Sequence, residues 1–312
     1  MSDNSRHLHV RERFLTTPAG EKVVLRGVNE MFVWGDRKGD VLEQIARTGA
    51  NCVRIVWTVA DGTAFELAAV IDRCRALGML PIPEFHDATG DWEKLEVAVS
   101  GWLRDDYREA LLGRQDFLVV NIANEVGRAV PDDAFVERYS DAVLRLRTAG
   151  YRCPLLVDAT DWGKDWSQLS RTGARLIESD PDRNMLLSLH LWWPAKSYGG
   201  TLEEAARRTR EALSESVQKG LPLVVAEFGA AFTDAGVVAV ADRIPWEVLL
   251  EECHRLEIGW LAWSWGGVPN QPQKDLDMAP GGRLEDLRGW GREVALDHPL
   301  SIRNTARPIR RE

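Results

Sequence analysis

The sequence is short of cysteine. Its 312 residues include four cysteines, none in a Cys-x-x-Cys pair and none in a cluster with histidine, so neither a zinc site nor a disulfide framework is indicated. Cys52 lies in an apolar run typical of a strand and Cys74 lies in a helical pattern, which favours buried thiols over disulfide bonds.

An excess of positive charge and long apolar runs are also absent, since 48 acidic residues outnumber 39 lysines and arginines. The formal net charge of −9 argues against a nucleic-acid or anionic-membrane partner, because phosphate repels an acidic surface. No apolar run approaches the roughly 20 residues that span a bilayer. Residues 1–14, MSDNSRHLHVRERF, lack the apolar segment of a signal peptide. As it stands, the sequence predicts a cytoplasmic protein, or a secreted one if a leader has been trimmed.

What the chain does have is a regular alternation of strand and helix patterns. Hydrophobic residues make up 45% of it, which is enough for a large core. Eight short apolar runs are each followed by a helical pattern, and they cover residues 23–29, 51–57, 80–87, 117–125, 154–159, 185–192, 221–229 and 258–265. Near-continuous apolar strands are typical of a parallel sheet that is covered on both faces.

These eight units predict an α/β protein, a single-domain (β/α)8 TIM barrel, because no Pro- or Ser-rich linker interrupts them. We place an N-terminal extension at residues 1–22, the barrel at 23–300 and a C-terminal tail at 301–312. A doubly wound sheet is the alternative. It is disfavoured because the stretch after the first strand, LRGVNEMFVWG, lacks a GxGxxG phosphate loop.

Polar and aromatic residues collect where the predicted strands end, which is where barrel enzymes of this kind place their active site. The main ones are Asn29, Glu30, Trp34, Arg54, Glu84, His86, Asp87, Asn124, Glu125, Asp158, Trp162, Trp166, His190, Trp192, Glu227, Trp263 and Trp265. The chain has 13 tryptophans against 4 tyrosines. Because indoles stack on the C–H faces of sugars while polar groups bind the hydroxyls, this rim favours an oligo- or polysaccharide ligand.

Two glutamates end apolar strands in the same way. FLVVNIANEVG places Glu125 after strand four, and LPLVVAEFG places Glu227 after strand seven. Glycoside hydrolysis uses such a pair, with one carboxyl group to protonate the leaving oxygen and another to attack the anomeric carbon or activate water. A separation of about 5–5.5 Å predicts retention of configuration. The structural alternative is that both glutamates form ion pairs with residues such as Arg54.

The strand-end motifs resemble those of glycoside hydrolase family 5, the cellulase family, and within it the bacterial endo-β-1,4-mannanase-like branch. The motifs are RGVN, GANCVRIVW, EFHDATG, VVNIANE, VDATDWG, SLHLWW, VAEFGA and GWLAWSW. The resemblance implies a retaining double displacement on β-1,4-mannan or manno-oligosaccharides, with no cofactor and no metal. A β-glucan-active hydrolase, an exo-acting β-mannosidase, a transglycosylase and a non-catalytic carbohydrate-binding barrel stay open, as does the oligomeric state.

The same resemblance implies roles for single residues. Glu125 is similar to the family's acid/base and Glu227 to its nucleophile. Arg54 is similar to the arginine that keeps the nucleophile ionised, and we expect it to lower the pKa of Glu227. The expected substrate-binding residues are Arg54, His86, Asn124, His190, Trp192 and Trp263, with Trp34, Trp162 and Trp166 as further sugar-stacking candidates.

Two positions depart from the family pattern. Trp192 stands where the family usually has a tyrosine whose hydroxyl bonds to the nucleophile, and an indole N–H can donate one hydrogen bond but accept none. Part of the tyrosine's role survives if the indole points at Glu227. Val126 follows the Asn-Glu pair where the branch commonly has an aromatic residue. Both changes predict a specificity different from that of a plain mannanase.

Overall fold

Eight parallel strands of the chain close into a barrel. The computed structural model describes residues 6–232, 239–266 and 276–310. In chain order the strands are β1 (His9–Arg11), β2 (Phe14–Thr16), β3 (Lys22–Val23), β4 (Arg26–Glu30), β5 (Cys52–Trp57), β6 (Leu80–Phe85), β7 (Val120–Asn121), β8 (Leu155–Asp158), β9 (Met185–His190), β10 (Leu223–Glu227) and β11 (Gly259–Ala262). Strands β4 to β11 pair in sequence order and β11 pairs back onto β4. The predicted (β/α)8 barrel is confirmed.

Helices alternate with the barrel strands. Within the described ranges they are α1 (Phe32–Gly35), α2 (Leu42–Ala46), α3 (Ala64–Ala76), α4 (Leu95–Leu103), α5 (Asp105–Leu112), α6 (Asp132–Thr148), α7 (Thr160–Gly163), α8 (Trp166–Ser179), α9 (Leu202–Gln218), α10 (Trp246–Arg255), α11 (Gly289–Arg292) and α12 (Ile302–Thr305). Local sequence sets their starts. Thr63 accepts a hydrogen bond from the N–H of Glu66, and Glu66 accepts one from the N–H of Thr63, so a capping box begins α3.

Side chains alternate between the two faces of the barrel wall. In β8, Leu155 and Val157 belong to the large core between the wall and the helices, whereas Leu156 belongs to the cluster inside the barrel. Asp158 follows Leu156 by two positions and therefore faces the interior above that cluster. This period of two brings polar side chains from several strands into the upper interior, where they form the floor of the mouth.

The lower end of the barrel is filled with apolar side chains. Leu8, Val10 and Leu15, from the segment that forms the small antiparallel sheet β1–β3, cluster with interior strand residues, and Ile309 joins them. Burial of side chains of this size stabilises a protein by about 1.5–3 kcal/mol each. The division into extension, barrel and tail stays a prediction, and both end segments contribute to this core.

The fourth barrel strand is shorter than the predicted run over 117–125. Only Val120–Asn121 pairs as a ladder in β7. The chain then leaves the extended conformation, and Glu125 adopts a left-handed backbone with φ 47°. A run of apolar residues predicts burial, but it carries no signal for the backbone turn that presents a side chain at the end of a strand.

The expectation of buried thiols agrees with the structure. All four cysteines are buried and free, as expected for Cys52 and Cys74. Among the described residues, no helix combines the length and the apolar character needed to cross a membrane.

A buried ion pair anchors the end of α6. Arg147 donates to both carboxylate oxygens of Asp180, at 2.9 and 2.8 Å, and also to the carbonyl of Cys153. Replacing Arg147 by methionine leaves the Asp180 carboxylate buried without its cation. We expect the free energy of unfolding to fall by about 3–5 kcal/mol, measured by urea unfolding followed by circular dichroism.

Arg145→Met on the same helix is the matched control. Arg145 also contacts both oxygens of a carboxylate, that of Glu96, but this pair is exposed and contributes at most about 1 kcal/mol. Equal losses in the two variants would show that burial does not set the energy of the Arg147 pair.

Candidate active site

The mouth at the carboxyl ends of the strands contains a cleft of about 490 Å³. This volume lies within the range of about 300–1,000 Å³ that is typical of ligand pockets. The residues that line it are His86, Glu125, Trp162, Lys164, Trp192, Glu227, Phe232 and Trp263. All of them except Lys164 and Phe232 are site residues that the sequence predicts.

Glu227 reaches the cleft because β10 is irregular at its carboxyl end. Val225 pairs with Leu189 but Glu227 pairs with His190, so Ala226 is an extra residue on β10. Ala226 already belongs to the cluster inside the barrel, so strict alternation would send Glu227 outward. The bulge turns two successive side chains inward, which is a common device beside active sites.

Glu125 is presented by the left-handed turn after β7. A backbone with φ 47° costs a residue with a side chain about 1–2 kcal/mol. The N–H of Glu125 donates to Asp158 Oδ2 at 3.1 Å, and its carbonyl accepts from the N–H of Gly90 at 2.8 Å. These bonds, together with the surrounding packing, hold the strained turn, and Glu125 is only 8% exposed.

The two carboxyl groups meet at one place. One oxygen of Glu125, one oxygen of Glu227 and one ring nitrogen of His190 all lie within 4.8 Å of one another. Such a close approach is compatible with the separation of about 5–5.5 Å between the carboxyl groups of retaining glycosidases. The arrangement can therefore hold a single glycosidic bond between an attacking carboxylate and a proton donor.

The same three side chains could in principle ligate a cation. Two carboxylates and an imidazole are a known kind of ligand set. Here, however, Nδ1 of His190 lies 2.8 Å from Oε1 of Glu125, and the guanidinium of Arg54 lies 2.7 Å from Glu227. Side chains thus already supply the positive charge that a metal would bring to the two carboxyl groups. We therefore interpret Glu125, Glu227 and His190 as residues that exchange protons rather than as metal ligands.

A fully buried guanidinium, that of Arg54, connects the floor of the site. Nη1 donates to Glu227 Oε1 at 2.7 Å and to Asn29 Oδ1 at 3.1 Å. Nη2 donates to Asn124 Oδ1 at 2.7 Å, and Nε donates to Asn121 Oδ1 at 2.8 Å. One side chain from β5 therefore fixes groups from β4, β7 and β10 and from the segment that leads to Glu125.

The charge of Arg54 is secured by its surroundings. Burial by itself would lower the pKa of Arg54, but four carboxyl groups outweigh burial and raise it; they are those of Glu84, Glu227, Asp158 and Glu125. The guanidinium is therefore a permanent positive charge beneath the cleft.

Glu227 has a net pKa shift opposite to the predicted one. Burial raises the pKa of Glu227 above its ordinary value, and repulsion from Glu125 adds to the rise. His190, Arg54 and His86 lower it without overcoming burial. The expected effect of Arg54 is right in sign, but a lowered net pKa is wrong, because a carboxylate removed from water loses more than its cationic neighbours return.

His190 lies between the acidic groups. Its Nδ1 is 2.8 Å from Glu125 Oε1 and 3.5 Å from Glu227 Oε2, and its Nε2 is 3.5 Å from Asp158 Oδ2. Burial by itself would lower the pKa of His190, but these carboxyl groups raise it to about 9. His190 is therefore an imidazolium at neutral pH.

His86 and Asn124 complete the polar floor. Nδ1 of His86 lies 2.7 Å from Glu84 Oε1, and although burial opposes it, this contact raises the pKa of His86. Nδ2 of Asn124 donates to Thr89 Oγ1 at 2.8 Å and lies 3.4 Å from His86 Nε2. His86 lines the cleft, and Asn124 is buried beside it.

Trp192 points at Glu227. Its indole Nε1–H donates to Glu227 Oε2 at 3.1 Å, while Arg54 donates to Oε1. Each oxygen of this carboxylate therefore has a donor. The indole supplies the hydrogen bond that the sequence analysis associates with a tyrosine hydroxyl at this place.

Aromatic rings form the walls. Trp263 lies nearly parallel to the His86 ring, with centroids 5.9 Å apart and an angle of 24°. Trp34 meets His86 edge-on at 5.6 Å and is 45% exposed, so it marks the outer edge of the mouth. Phe232 lies beside Trp192 at 5.9 Å. Flat apolar surfaces beside carboxyl groups suit the C–H faces of pyranose rings.

Two tryptophans from the predicted rim belong to the core. Trp166 is buried and donates to Glu215 at 2.7 Å, which joins α8 to α9. Trp265 is buried and donates to the carbonyl of Gly282 at 2.9 Å. The sugar-stacking prediction for Trp166 is therefore wrong, because a strand-end position does not reveal which way the following loop turns the ring.

Glu30 and Asp87 hold loops. Glu30 is fully buried and accepts a hydrogen bond from the N–H of Gly266 at 3.0 Å. Asp87 accepts one from the N–H of Val59 at 2.9 Å.

Several residues of the site carry weaker signals in the sequence. Asp158 contacts Arg54, His190 and the backbone of Glu125, although the sequence analysis gives it no role. The sequence signal for Asp158 is the alternation of side chains along LLVD, which places it on the same interior face as Leu156. Asn121 interrupts an apolar strand, and a polar residue inside such a run is also a signal.

Comparisons with known proteins agree with this geometry. The model of the cellulase family, glycosyl hydrolase family 5, matches residues 16–268. A mannan endo-1,4-beta-mannosidase of Cellvibrio japonicus is 32% identical over 305 residues, with 92% of this chain and 65% of that enzyme covered. The enzyme of the same name from Streptomyces lividans is 33% identical over 299 residues, with 92% of this chain and 73% of that enzyme covered.

A solved structure gives the same result. The beta-mannanase from Streptomyces thermolilacinus with mannohexaose matches with a TM-score of 0.84 at 31% sequence identity, and 97% of each chain is covered. This chain spans just under two thirds of the length of the Cellvibrio enzyme. The resemblance of the strand-end motifs to the mannanase-like branch is confirmed. Since the family model matches most of the sequence, the chain belongs to glycosyl hydrolase family 5.

Proposed function

We propose that this protein hydrolyses β-1,4-mannan or manno-oligosaccharides with retention of anomeric configuration. The observation that carries the proposal is the meeting of the Glu125 and Glu227 carboxyl groups within 4.8 Å at one mouth of the barrel. The sugar is inferred from the relatives named as mannan endo-1,4-beta-mannosidases and from the beta-mannanase structure with mannohexaose.

The first step is a displacement by Glu227. Its carboxylate oxygen attacks the anomeric carbon, the glycosidic C–O bond breaks, and the proton of Glu125 moves to the leaving oxygen. Arg54 and Trp192 hold the two oxygens of Glu227, which fixes the direction of attack. A positioned nucleophile needs no reorientation in the transition state, and this lowers the barrier.

In the second step water releases the sugar. Glu125, now a carboxylate, takes a proton from water, whose oxygen attacks the anomeric carbon and breaks the bond to Glu227. While Glu227 is esterified its negative charge is absent, so the positive charge of His190, 2.8 Å from Glu125, is left to stabilise the Glu125 carboxylate. The same residue can thereby act first as acid and then as base.

The floor is rich in acidic groups. Four carboxyl groups, those of Glu84, Glu125, Asp158 and Glu227, surround one guanidinium, that of Arg54. The first step requires that Glu125 carries a proton.

The proposal predicts the products and the effect of two substitutions. Mannan and mannopentaose should be hydrolysed, and proton NMR should show the β-anomer of the new reducing end first. Glu125→Gln should lower kcat by about 10²–10⁴-fold, and Glu227→Gln should abolish turnover because no glycosyl-enzyme can form. Glu211→Gln, at an exposed helix position, is the control.

Early release of the α-anomer would exclude the double displacement, and failure of folded protein to cleave any β-glycoside would reject the proposal.

Trp192 should tune the pH dependence. Glu227 must be ionised to attack, and its pKa is already raised by burial, so activity falls as the pH drops through that pKa. Trp192→Phe removes a donor to the ionised form and raises the pKa further. We expect the acid limb of the kcat/KM profile to move about one unit to higher pH. Trp192→Tyr, which can restore a donor, is the rescue variant, and an unmoved limb in Trp192→Phe would exclude the tuning role.

Gly163 should be required for the position of His190. Gly163 has φ +71°, and a Cβ built there would lie 2.5 Å from Cγ of His190. Gly163→Ala must therefore displace the imidazole, and we expect kcat/KM to fall about 10- to 100-fold. Gly78→Ala is the matched control, because Gly78 has φ +77° with nothing within 4 Å of its added Cβ. Both variants carry the same backbone cost of about 1–2 kcal/mol, so equal activities would contradict the contact argument.

A further inference from the structure

Two cations at the mouth have no acidic partner in the described part of the chain. Lys164 lines the cleft together with Glu125 and Glu227, and it is partly buried. Arg128, three residues after Glu125, is exposed. Among the described residues neither side chain has a carboxylate oxygen within 4.0 Å, although Asp161 and Asp165 lie in the same loop as Lys164. Acidic residues outnumber basic ones in this chain, whose net charge is −9, yet these two cations face the mouth without a carboxylate beside them.

Both cations lie over one indole. The guanidinium carbon of Arg128 is 4.4 Å from the ring centroid of Trp162, and Nζ of Lys164 is 5.0 Å from it. Cation–π contacts of this kind contribute only modestly at exposed sites and leave the N–H groups free for hydrogen bonds. The ring surface on which a sugar could stack is therefore shared with two charged groups.

The backbone holds Trp162, and with it the two cations, next to the segments that present Glu125. Asp161 and Trp162 both have a left-handed backbone, with φ 54° and 56°. The N–H of Asp161 donates to the carbonyl of Gly127 at 3.0 Å, and a Cβ added to Gly90 would lie 2.7 Å from Nε1 of Trp162. The indole is therefore packed closely against the segments that present Glu125. A positive charge is positioned beside the group that protonates the leaving sugar.

A cation on the other side of the mouth, Lys196, does have an acidic partner. Lys196 lies near Phe232, but its Nζ is 2.8 Å from Asp242 and it also donates to the Phe232 carbonyl. Its charge is compensated within the protein. Lys196 therefore differs from Lys164 and Arg128, which have no such partner among the described residues.

We propose that this cleft selects oligosaccharides with an anionic group, a carboxylate or a phosphate, on a sugar bound beside Trp162. The group would replace water around the ammonium of Lys164 and the guanidinium of Arg128, which bind oxyanions by charge-assisted hydrogen bonds. A neutral sugar can accept hydrogen bonds from these groups but lacks the charge–charge attraction. The inference rests on the proposed function and narrows its substrate from neutral mannan to a mannan that carries acidic substituents.

The test compares kcat/KM on three probes of matched chain length: neutral mannan, mannan partly oxidised to carboxylate at C6, and mannan phosphorylated at C6. The readout is the ratio of each anionic probe to neutral mannan. For exposed pairs we expect each cation to contribute about two- to fivefold to that ratio. The ratio should also shrink when salt rises from 20 to 200 mM, because the pairs are exposed. Comparison of the carboxylate and phosphate arms identifies which oxyanion is preferred.

The variants separate charge from structure. Lys164→Gln with Arg128→Gln should lower the anionic-to-neutral ratio by about 4- to 25-fold at low salt, whereas Lys164→Arg with Arg128→Lys should retain it. Lys219→Gln removes the same charge after α9, away from the mouth, and should change nothing. If the double Gln variant has an unchanged anionic-to-neutral ratio of kcat/KM, the inference is overturned. Continued activity on neutral mannan in that case leaves the proposed function intact. Absence of cleavage on all three probes rejects the proposed function itself.

Discussion

The mouth of this barrel depends on one buried guanidinium. Arg54 extends from β5 into the buried interior and donates there to Glu227 and to the side chains of Asn29, Asn121 and Asn124. A buried charge is tolerated only where its donors are satisfied and opposite charges surround it. The buried charge of Arg54 therefore requires the acidic residues that surround it.

Near Arg54 the backbone departs from regular strand geometry at the two residues whose side chains must face the cleft, Glu125 and Glu227. The bulge at Ala226 turns Glu227 inward, and the left-handed turn directs Glu125 to the same gap. A regular barrel would present only every second residue of a strand to the interior. Both irregularities cost free energy, and hydrogen bonds from Arg54 and to Asp158 hold them. Strain at the site is thus stabilised by the floor beneath it.

The floor also sets the pKa of Glu227. Burial raises this pKa, and the positive charges of His190 and Arg54 oppose the rise. Trp192 enters this balance by donating a hydrogen bond to Glu227.

The sequence by itself determined the barrel, its order of strands and the two glutamates, because apolar runs of period two and helical patterns depend on neighbouring residues alone. It also identified most of the cleft, since strand ends in such a barrel meet at one mouth. Only the tertiary structure decided that Trp166 serves the core, that burial outweighs Arg54 at Glu227, and that Lys164 faces the cleft. These outcomes depend on the directions of loops and on distances between segments far apart in the chain, and no local pattern of residues encodes either.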